Sequence, residues 1–408
     1  AEYADRLIRG VYGNPHSAHA PSRNSEDDLR RARAATLAFF DADPDVYDVC
    51  FTANTSAAIK LVAESYAFSP QRGYVLSADN HNSVNGVREY AHAAQAPVVT
   101  LPLDEDLRLE DPELHLAQFA AQQGAGLFAF PIQSNFSGVK HPLSLLHTAQ
   151  RLGLDVMIDA AGSGVMGGIS LRRHPAEFLV FSFYKIFGLP TGVGALIVKR
   201  EAMARLRRPW FAGGTVDFVS IAHDRHQLSA GHAAFEDGTP DFLNIGAIPT
   251  GFAFIERFRS SALQKRLDAL TARFIAGVSN LRHKDGAPLV RIYGPDTLEA
   301  RGSTIAFNVL HPGGSTVPYQ RVEEAARASG VAIRGGCFCN PGAAERAFGF
   351  ENHDIAGCLD QLGNTFTIPR LQERLGPRAT VGALRASIGA PTNERDIDTA
   401  IDCIAALA

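Results

Sequence analysis

The strongest constraint on the fold is an alternation of short apolar segments with helical segments before about residue 200. Helical patterns such as SVNGVREYAHAA and PLSLLHTAQRLG separate the apolar segments. Six of those segments have the length and composition of buried strands: YVLSA, PVVTLP, GLFAFP, LDVMID, FLVFSF and GALIVK. Strands that alternate with helices predict a mostly parallel sheet that is covered by helices on both faces.

The helical patterns suggest where the chain divides. In SEDDLRRARAATLAFF, Ser25 and Asp28 form a capping-box pattern, and the apolar residues that follow repeat at helical spacing. After about residue 240 a long amphipathic helix, SALQKRLDALTARFIAGVSNL, is followed by sparser strands such as GSTIAFNVL. We therefore predict a large α/β domain over residues 1–245 and a smaller one over residues 246–408.

Composition narrows the classes of partner. The 408 residues are 46% hydrophobic and carry a net charge of -4, which gives no electrostatic reason to expect nucleic acid or an anionic membrane. No apolar run approaches the roughly 20 residues of a membrane span, and AEYADRLIRG lacks the apolar core of a signal peptide. Five cysteines do not resemble a disulfide framework. We expect a cytoplasmic protein that binds neither nucleic acid nor membrane.

Ligands of such sheets bind at the carboxyl ends of the strands. Asn54, Thr55 and Ser56 follow the strand-like VCFT and begin a helical segment, where backbone N–H groups and hydroxyls suit a phosphate. The spacing of a P-loop or of a dinucleotide fingerprint is missing, so the pattern does not indicate a nucleotide. Taken alone, these residues are better explained by an ordinary helix N-cap.

Three more predicted strands end at polar residues. His81 follows YVLSA, and a loop or cap residue is the alternative interpretation. Asn135 follows GLFAF, where the alternative is a turn. Asp159 ends LDVMID, and a carboxylate at that point is costly without a cationic partner.

The most informative position is Lys185 in FSFYKIFGLP. Most lysines are exposed, but this one directly follows a strand that we expect to be buried. Apolar surroundings favour the neutral amine, which forms a Schiff base with an aldehyde. The aldehyde that accounts for all of these strand ends is pyridoxal 5′-phosphate (PLP). Asp159 would keep its ring nitrogen protonated, His81 would stack on the ring, and Asn135 would reach the phenolic oxygen.

The chain as a whole resembles the class V, fold-type I PLP enzymes, whose fold is that of aspartate aminotransferase. Within that class it is similar to the cysteine desulfurase domain of molybdenum cofactor sulfurases. The resemblance implies a mostly parallel seven-stranded sheet in the large domain and covers about residues 12–398. It rests on successive motifs: YGNPHSAH, FTANTSAAIKLVAE, NHNSVNGVREYA, QSNFSGVKHPL, SFYKIFGLPTGVGALIV, FEDGTPDFLNI, GCFCNPGA and LRASIG.

The resemblance assigns roles to individual residues. Lys185 carries the Schiff base, Asp159 binds the pyridine nitrogen, and His81 stacks and moves protons. The phosphate is bound by Ser182 together with Thr55 or Ser56. Tyr184 stands where many desulfurases have histidine, a departure that the molybdenum cofactor sulfurases share.

Two further residues come from the same resemblance. Thr239 in EDGTP would reach the phosphate of a neighbouring subunit, which implies a homodimer. Arg385 in LRASIG would bind the substrate carboxylate through its bidentate fork, with Asn135 beside it. The alternative for Arg385 is a surface arginine of the small domain.

The nucleophile is expected in RGGCFCNPGAAERAF. In this family a loop cysteine takes the sulfur of the substrate cysteine as a persulfide, and alanine is released. That reaction needs a thiolate on a mobile, partly exposed loop near cationic groups. Cys339 matches the nucleophile best, and Cys337 is the second choice. A metal site is the weaker alternative, because Cys-x-Cys lacks a second close Cys/His pair for zinc.

The sequence also departs from the sulfurases. They carry another cysteine where this chain has GAAE, and a C-terminal domain beyond the point where this sequence stops. We therefore expect the recipient-binding half to be absent and the acceptor to be open. Residues 343–380 match only loosely and are candidates for setting substrate or partner.

The sequence predicts a homodimeric PLP-dependent cysteine desulfurase that acts on L-cysteine and passes sulfur to an acceptor protein. The alternatives are another class V reaction (selenocysteine lyase, carbon–sulfur lyase, epimerase or aminotransferase of specialised metabolism) or a scaffold without catalysis.

Overall fold

A seven-stranded sheet forms the centre of the N-terminal half. The computed structural model describes residues 2–163, 169–350, 355–376 and 379–408. The strands of this sheet are β1 (Tyr47–Thr52), β2 (Gly73–Ser77), β3 (Val98–Leu101), β4 (Gly126–Pro131), β5 (Leu154–Asp159), β6 (Phe178–Ser182) and β7 (Gly194–Lys199). Their order is β1-β7-β6-β5-β4-β2-β3, and only β7 runs antiparallel to its neighbours. The predicted mostly parallel sheet is confirmed, and every predicted strand is present.

Helices cover both faces of this sheet. Those of the N-terminal half are α1 (Glu2–Arg9), α2 (Ala20–Phe39), α3 (Thr55–Ser65), α4 (Asn82–Asn85), α5 (Val87–Ala93), α6 (Pro112–Gln123), α7 (Ser144–Arg151), α8 (Tyr184–Phe187), α9 (Arg200–Met203), α10 (Phe242–Ile245) and α11 (Ile248–Glu256). Successive side chains of β4 alternate between two cores. Phe128 and Phe130 pack with α2, α6, α7 and α11, whereas Leu127 and Ala129 pack with α3, α5 and α9.

Helix α2 begins earlier than the sequence pattern suggested. The side chain of His19 caps the helix by accepting from the backbone N–H of Ser22, so the predicted capping box at Ser25 is wrong. Ser25 and Asp28 are buried inside the helix, and Asp28 pairs with Arg6 at 3.0 Å. The proline in the first turn is compatible with this earlier start, because the first backbone N–H groups of a helix have no partner within the helix.

The C-terminal part contains a second sheet, of four antiparallel strands in the order β10-β11-β13-β12. The strands are β10 (Val290–Tyr293), β11 (Thr304–Val309), β12 (Arg334–Gly336) and β13 (Ala383–Ser387), and a hairpin of β8 (Val216–Ser220) and β9 (Arg225–Leu228) precedes them. The helices are α12 (Ser261–Ser279), α13 (Tyr319–Ala328), α14 (Pro341–Phe348), α15 (Ile355–Leu362), α16 (Ile368–Leu375) and α17 (Glu394–Ala405). The predicted apolar face of α12 is confirmed, since Leu267, Leu270, Phe274 and Val278 are buried against this sheet.

Two sequence-based predictions stay predictions. The first is the domain boundary between residues 245 and 246, although Ile248, Phe252 and Ile255 of α11 pack into the core of the large sheet. The other is the role of segment 343–380, of which residues 351–354 and 377–378 lie outside the described part. Among the described helices, none is both long and apolar enough to cross a membrane.

The segment between β4 and α7 joins the two sheets. The backbone N–H of Lys140 donates to the carbonyl of Ala300 at 2.8 Å, and that of Gly302 donates to Gly138 at 2.7 Å. Glycine is needed at position 138, because φ is +82° and a Cβ would lie 2.2 Å from the carbonyl oxygen of Thr304. The residues after β4 are therefore held against the segment that precedes β11 of the second sheet.

Candidate active site

A cavity of about 320 Å³ lies at the carboxyl ends of β1, β2, β4, β5 and β6. Its walls are built by the residues that follow these strands, as expected for an open α/β sheet. Eight of the residues that the sequence predicted line it: Thr55, Ser56, His81, Asn135, Asp159, Ser182, Tyr184 and Lys185. The topology thus brings together side chains that lie up to 130 positions apart in the sequence.

One wall of the cavity is the N-terminus of α3. The backbone N–H of Thr55 donates to Oγ of Ser182 at 2.9 Å, and the two hydroxyls lie 2.6 Å apart. Oγ of Ser56 lies 2.6 Å from Oγ of Ser83. A Cβ on Gly194 would lie 2.5 Å from the carbonyl carbon of Asn54, so glycine lets β7 approach this turn. Hydroxyls clustered at a helix N-terminus form a place for an anionic group.

Asp159 provides the only described carboxylate on the walls of the cavity. It is 6% exposed, and its Oδ1 accepts a hydrogen bond of 2.8 Å from the backbone N–H of Ala161. Burial raises the pKa of this carboxyl, although that hydrogen bond and the charges of Lys185 and His81 oppose the shift. A cationic ligand group at this position would relieve the cost of the buried charge.

The raised pKa of Asp159 predicts a gain in stability when the charge is removed. When folding raises the pKa of a carboxyl, the folded protein becomes less stable as the pH rises through that pKa, because the buried group then becomes charged. In PLP-free protein at pH 8, Asp159→Asn is expected to raise the melting temperature by roughly 2–4 °C. The difference should shrink as the pH is lowered, because Asp159 then becomes protonated.

Melting curves measured by differential scanning fluorimetry at several pH values check this prediction. Asp402→Asn, on the exposed side of α17, is the matched control and should change nothing. A melting temperature of Asp159→Asn equal to that of the parent at every pH would contradict the account.

His81 caps α4 and also faces the cavity. Its Nδ1 accepts from the backbone N–H of Ser83 at 3.1 Å, which assigns the proton of the neutral ring to Nε2. Burial lowers the pKa of His81, and Lys185 lowers it further, whereas Asp159 opposes the shift. The cap interpretation is therefore correct without excluding a role in the cavity, since a neutral ring suits both stacking and proton transfer.

Lys185 lines the cavity, but its surroundings differ from those expected. Strand β6 is buried, whereas Lys185 lies beyond it on α8 and is exposed, as is Tyr184. The expectation of apolar surroundings is therefore wrong, because the chain turns away from the sheet after Phe183. The charge of Lys185 lowers the pKa values of both Asp159 and His81, which places the three groups within electrostatic reach of one another.

The two candidate nucleophiles lie between β12 and α14 in different environments. Cys339 is exposed, whereas Cys337 is partly buried and its thiol lies 3.5 Å from the carbonyl oxygen of Val381. Burial raises the pKa of Cys337 to about 11, and the neighbouring Cys339 and Glu345 raise it as well. A thiolate is therefore disfavoured at Cys337.

The backbone around Cys339 is fixed to the cavity wall. Nδ2 of Asn135 donates to the carbonyl of Phe338 at 2.7 Å, and the backbone N–H of Asn82 donates to the carbonyl of Cys339 at 2.7 Å. The mobility expected of this loop stays a prediction. Because the amide of Asn135 is engaged with the loop, its contact with a cofactor oxygen stays a prediction.

Arg385 lies behind the cavity wall. It is absent from the described lining, and its Nη1 donates to the carbonyl of Asn135 at 2.8 Å. Its guanidinium carbon lies 4.7 Å from the centre of the Phe338 ring. Burial lowers the pKa of Arg385, as does the charge of Arg334, and Cys339 partly offsets the shift. Arg385 is thus a cation beside the cysteine loop, and substrate binding by it stays a prediction.

Thr239 lies in a neighbouring cavity of about 390 Å³. That cavity shares Ala53 and Gly192 with the first, and Thr239 itself is exposed. Its predicted role toward a second subunit is not tested by a single chain.

Sequence reasoning missed Gln133. This residue is 8% exposed and lines the cavity, and its Nε2 donates to the carbonyl of Gly162 at 3.3 Å. The available signal was its position two residues after β4 and two residues before Asn135. A polar side chain this close to the end of a buried parallel strand is a candidate for the same edge of the sheet as Asn135.

Comparisons with known proteins agree with this geometry. The sequence profile of the aminotransferase class-V family matches residues 2–399. The chain belongs to that family. Its members depend on PLP, and this chain is a PLP-dependent enzyme of class V with the fold-type I architecture.

The relatives show how far the likeness extends. A molybdenum cofactor sulfurase of Oryza sativa subsp. japonica is 35% identical over 400 residues, which cover 87% of this chain and 48% of the relative. This chain thus spans about half the length of the curated relatives it matches.

Solved structures show the same fold. The apo structure of a cysteine desulfurase from Thermococcus onnurineus NA1 superposes with a TM-score of 0.79 at 22% identity, covering 100% of this chain and 90% of that one. A C-DES mutant with glycine covalently linked to the PLP cofactor superposes with a TM-score of 0.70 at 15% identity, covering 99% and 90%.

The residues of the cavity fit PLP. Asp159 is a buried carboxylate whose Oδ2 has no hydrogen-bonding partner among the described residues, as a protonated ring nitrogen requires. The hydroxyls of Thr55 and Ser182 at the start of α3 suit the phosphate. Lys185 supplies a primary amine on the same cavity.

Proposed function

We propose that this class V enzyme is a cysteine desulfurase, which converts L-cysteine to L-alanine and retains the sulfur as a persulfide on Cys339. The observation that supports this best is the exposed Cys339, whose backbone is held by Asn82, the neighbour of His81. The nucleophile is thus tied to the wall of the cavity that Lys185 and Asp159 line.

The proposed roles of the cavity residues follow from their positions. When bound, PLP would withdraw electrons from the alpha carbon of the amino acid and so permit bond cleavage next to it. Lys185 would be the covalent attachment point and a proton carrier. Asp159 would hold the ring nitrogen, and the ring of His81 would accept or donate protons at Nε2. Thr55, Ser56 and Ser182 would bind the phosphate at the start of α3.

The sulfur transfer itself needs a thiolate at Cys339. Its Sγ attacks the sulfur of the substrate, so that an S–S bond forms while the Cβ–S bond of the substrate breaks. Cβ takes the bonding electrons and a proton to give alanine, and the thiol proton of the substrate is released. The substrate sulfur is oxidised as the carbon is reduced, so no external oxidant is needed. Arg385 is a cation beside the loop that carries Cys339, since its Nη1 donates to the carbonyl of Asn135 and its guanidinium lies over the ring of Phe338.

Alanine release tests the proposed function. PLP-loaded protein is incubated with L-cysteine and dithiothreitol, and alanine is quantified alongside parallel reactions with selenocysteine, cystine and L-alanine. We expect alanine from L-cysteine at many turnovers per subunit. A yellow, PLP-loaded protein that releases none, but that turns over another amino acid, would reject the desulfurase and favour another class V reaction.

We further propose a homodimer in which Thr239 contacts the phosphate of the partner's cofactor. Exposed apolar residues in the segment between β7 and Thr239, among them Trp210 and Phe218, are consistent with a covered face. Thr239→Val should raise the dissociation constant for PLP about tenfold, the usual effect of losing one hydrogen bond to a charged group.

Equilibrium dialysis against PLP measures this constant, with Thr297→Val, an exposed threonine of the small domain, as the control. An unchanged PLP affinity for Thr239→Val, in protein whose mass in solution is that of a dimer, would count against the phosphate contact.

The sulfur acceptor is a separate matter. We propose that the persulfide of Cys339 passes to an acceptor protein, since its side chain is exposed in the single chain. Because the curated relatives are about twice as long, the identity of their acceptor does not transfer to this chain. A cytoplasmic location likewise stays a prediction.

A further inference from the structure

A buried polar network lies beneath the loop that carries Cys339. At its centre is Asp79, which has no exposed surface. Its Oδ2 lies 2.8 Å from Nε2 of His141, and its Oδ1 accepts from Oγ of Ser134 at 2.7 Å. Oδ1 also accepts from Nδ2 of Asn340 at 2.6 Å. Neither the cofactor contacts nor the sulfur transfer described above uses this network.

Asn340 connects three parts of the protein. Besides its bond to Asp79, its Nδ2 donates to Oδ1 of Asn135 on the cavity wall at 2.9 Å. Its Oδ1 accepts from the backbone N–H of Ala343 and thereby caps α14. All the polar atoms of the side chain are engaged, and the residue is completely buried. Asn340 therefore fixes the start of α14 to both the sheet and the cavity.

The residues just before Asn340 adopt a backbone conformation that needs such support. Phe338 and Cys339 have φ values of 56° and 58°, in the left-handed region that side chains other than glycine disfavour. Conformations of this kind persist where surrounding contacts impose them, and they occur often at functional sites. Here the contacts come from Asn135, Asn82 and Asn340, on both sides of the cysteine.

We propose that Asn340, held by the buried Asp79–His141 pair, is the positioning residue that keeps Cys339 at the edge of the cavity for sulfur transfer. The inference rests on the proposed function for the role of Cys339. Asn340 acts through the loop backbone and not on the substrate, so its loss should affect the sulfur step more than substrate binding.

Asn340→Ser tests the proposal, because serine is also a good N-cap and preserves the bond to α14 while removing both amide donors. We expect kcat to fall about tenfold with KM within about twofold of the parent value. In PLP-free protein, amide hydrogen exchange in the peptide that contains Asn82 should become faster, because the acceptor Cys339 is no longer held.

The controls separate positioning from general destabilisation. Asn393→Ser makes the same change at the N-cap of α17, away from this network, and should alter neither kcat nor exchange at Asn82. If Asn340→Ser does not fold, Asn340→Asp takes its place. It keeps the cap but replaces the amide donors with an acceptor, and it should show the same fall in kcat.

An Asn340→Ser protein with parental kcat and parental exchange at Asn82 would overturn the proposal. A fall in kcat that the unfolded fraction of the variant fully explains would also overturn it. The exchange measurement needs no desulfurase activity. If the parent releases no alanine but exchange at Asn82 rises as expected, the proposed function fails while the anchoring of the loop stands.

Discussion

Lys185→Ala is expected to abolish the covalent link to PLP and to reduce turnover of L-cysteine by at least about a thousandfold. Lys185 is the one lysine that lines the described cavity with Asp159, and the charge of its amine reaches that carboxylate. Without it no amine of the described lining can attach the aldehyde of the cofactor, and the proposed proton carrier for the alpha carbon is lost.

Borohydride reduction followed by mass spectrometry measures the link. In the parent, reduction should fix PLP to the peptide that contains Lys185, and in the variant no peptide should carry it. Lys265→Ala, an exposed lysine of α12, is the control and should behave as the parent. PLP that remains covalently fixed in Lys185→Ala would refute the role of this lysine.

Cys339→Ala is expected to bind L-cysteine but to release at least about a hundredfold less alanine than the parent. The absorbance of bound PLP should still change when cysteine is added, because the cavity residues are intact. The physical reason is that Cys339, the proposed nucleophile, is exposed, whereas burial raises the pKa of Cys337 to about 11.

Cys337→Ala is the matched control, two residues away on the same loop. It should keep alanine release within about threefold of the parent, since removal of this partly buried thiol changes local packing and leaves the proposed nucleophile in place. If Cys337→Ala lost alanine release while Cys339→Ala retained it, the assignment within the pair would be reversed.

The sequence predicted the large sheet and most of the cavity for one physical reason. Strands of a parallel sheet that are buried on both faces are continuous apolar runs, so their ends can be read from the sequence. The polar residues at those ends, such as Thr55, His81 and Asp159, then meet at one edge of the sheet. Their local surroundings are harder to predict, and Lys185 proved exposed because β6 ends three residues before it.

The buried polar network beneath the loop that carries Cys339 could not be predicted from strand ends. Asp79, Ser134, His141 and Asn340 come from three separate segments, and no spacing in the sequence relates them. Each is a common polar residue whose importance arises from burial and from its partners. The true start of α2 was missed for a related reason, since the cap at His19 is a side chain that sequence rules seldom assign to helix starts.

The most direct test of the central claim is a reaction of PLP-loaded protein with L-cysteine in the absence of any thiol reductant. Alanine is quantified, and the peptide that carries Cys339 is weighed by mass spectrometry. The account predicts about one alanine per subunit, because turnover stops once each nucleophile holds a persulfide, and a mass gain of one sulfur atom on Cys339. Sustained alanine release with Cys339 unmodified, or no alanine at all, would contradict it.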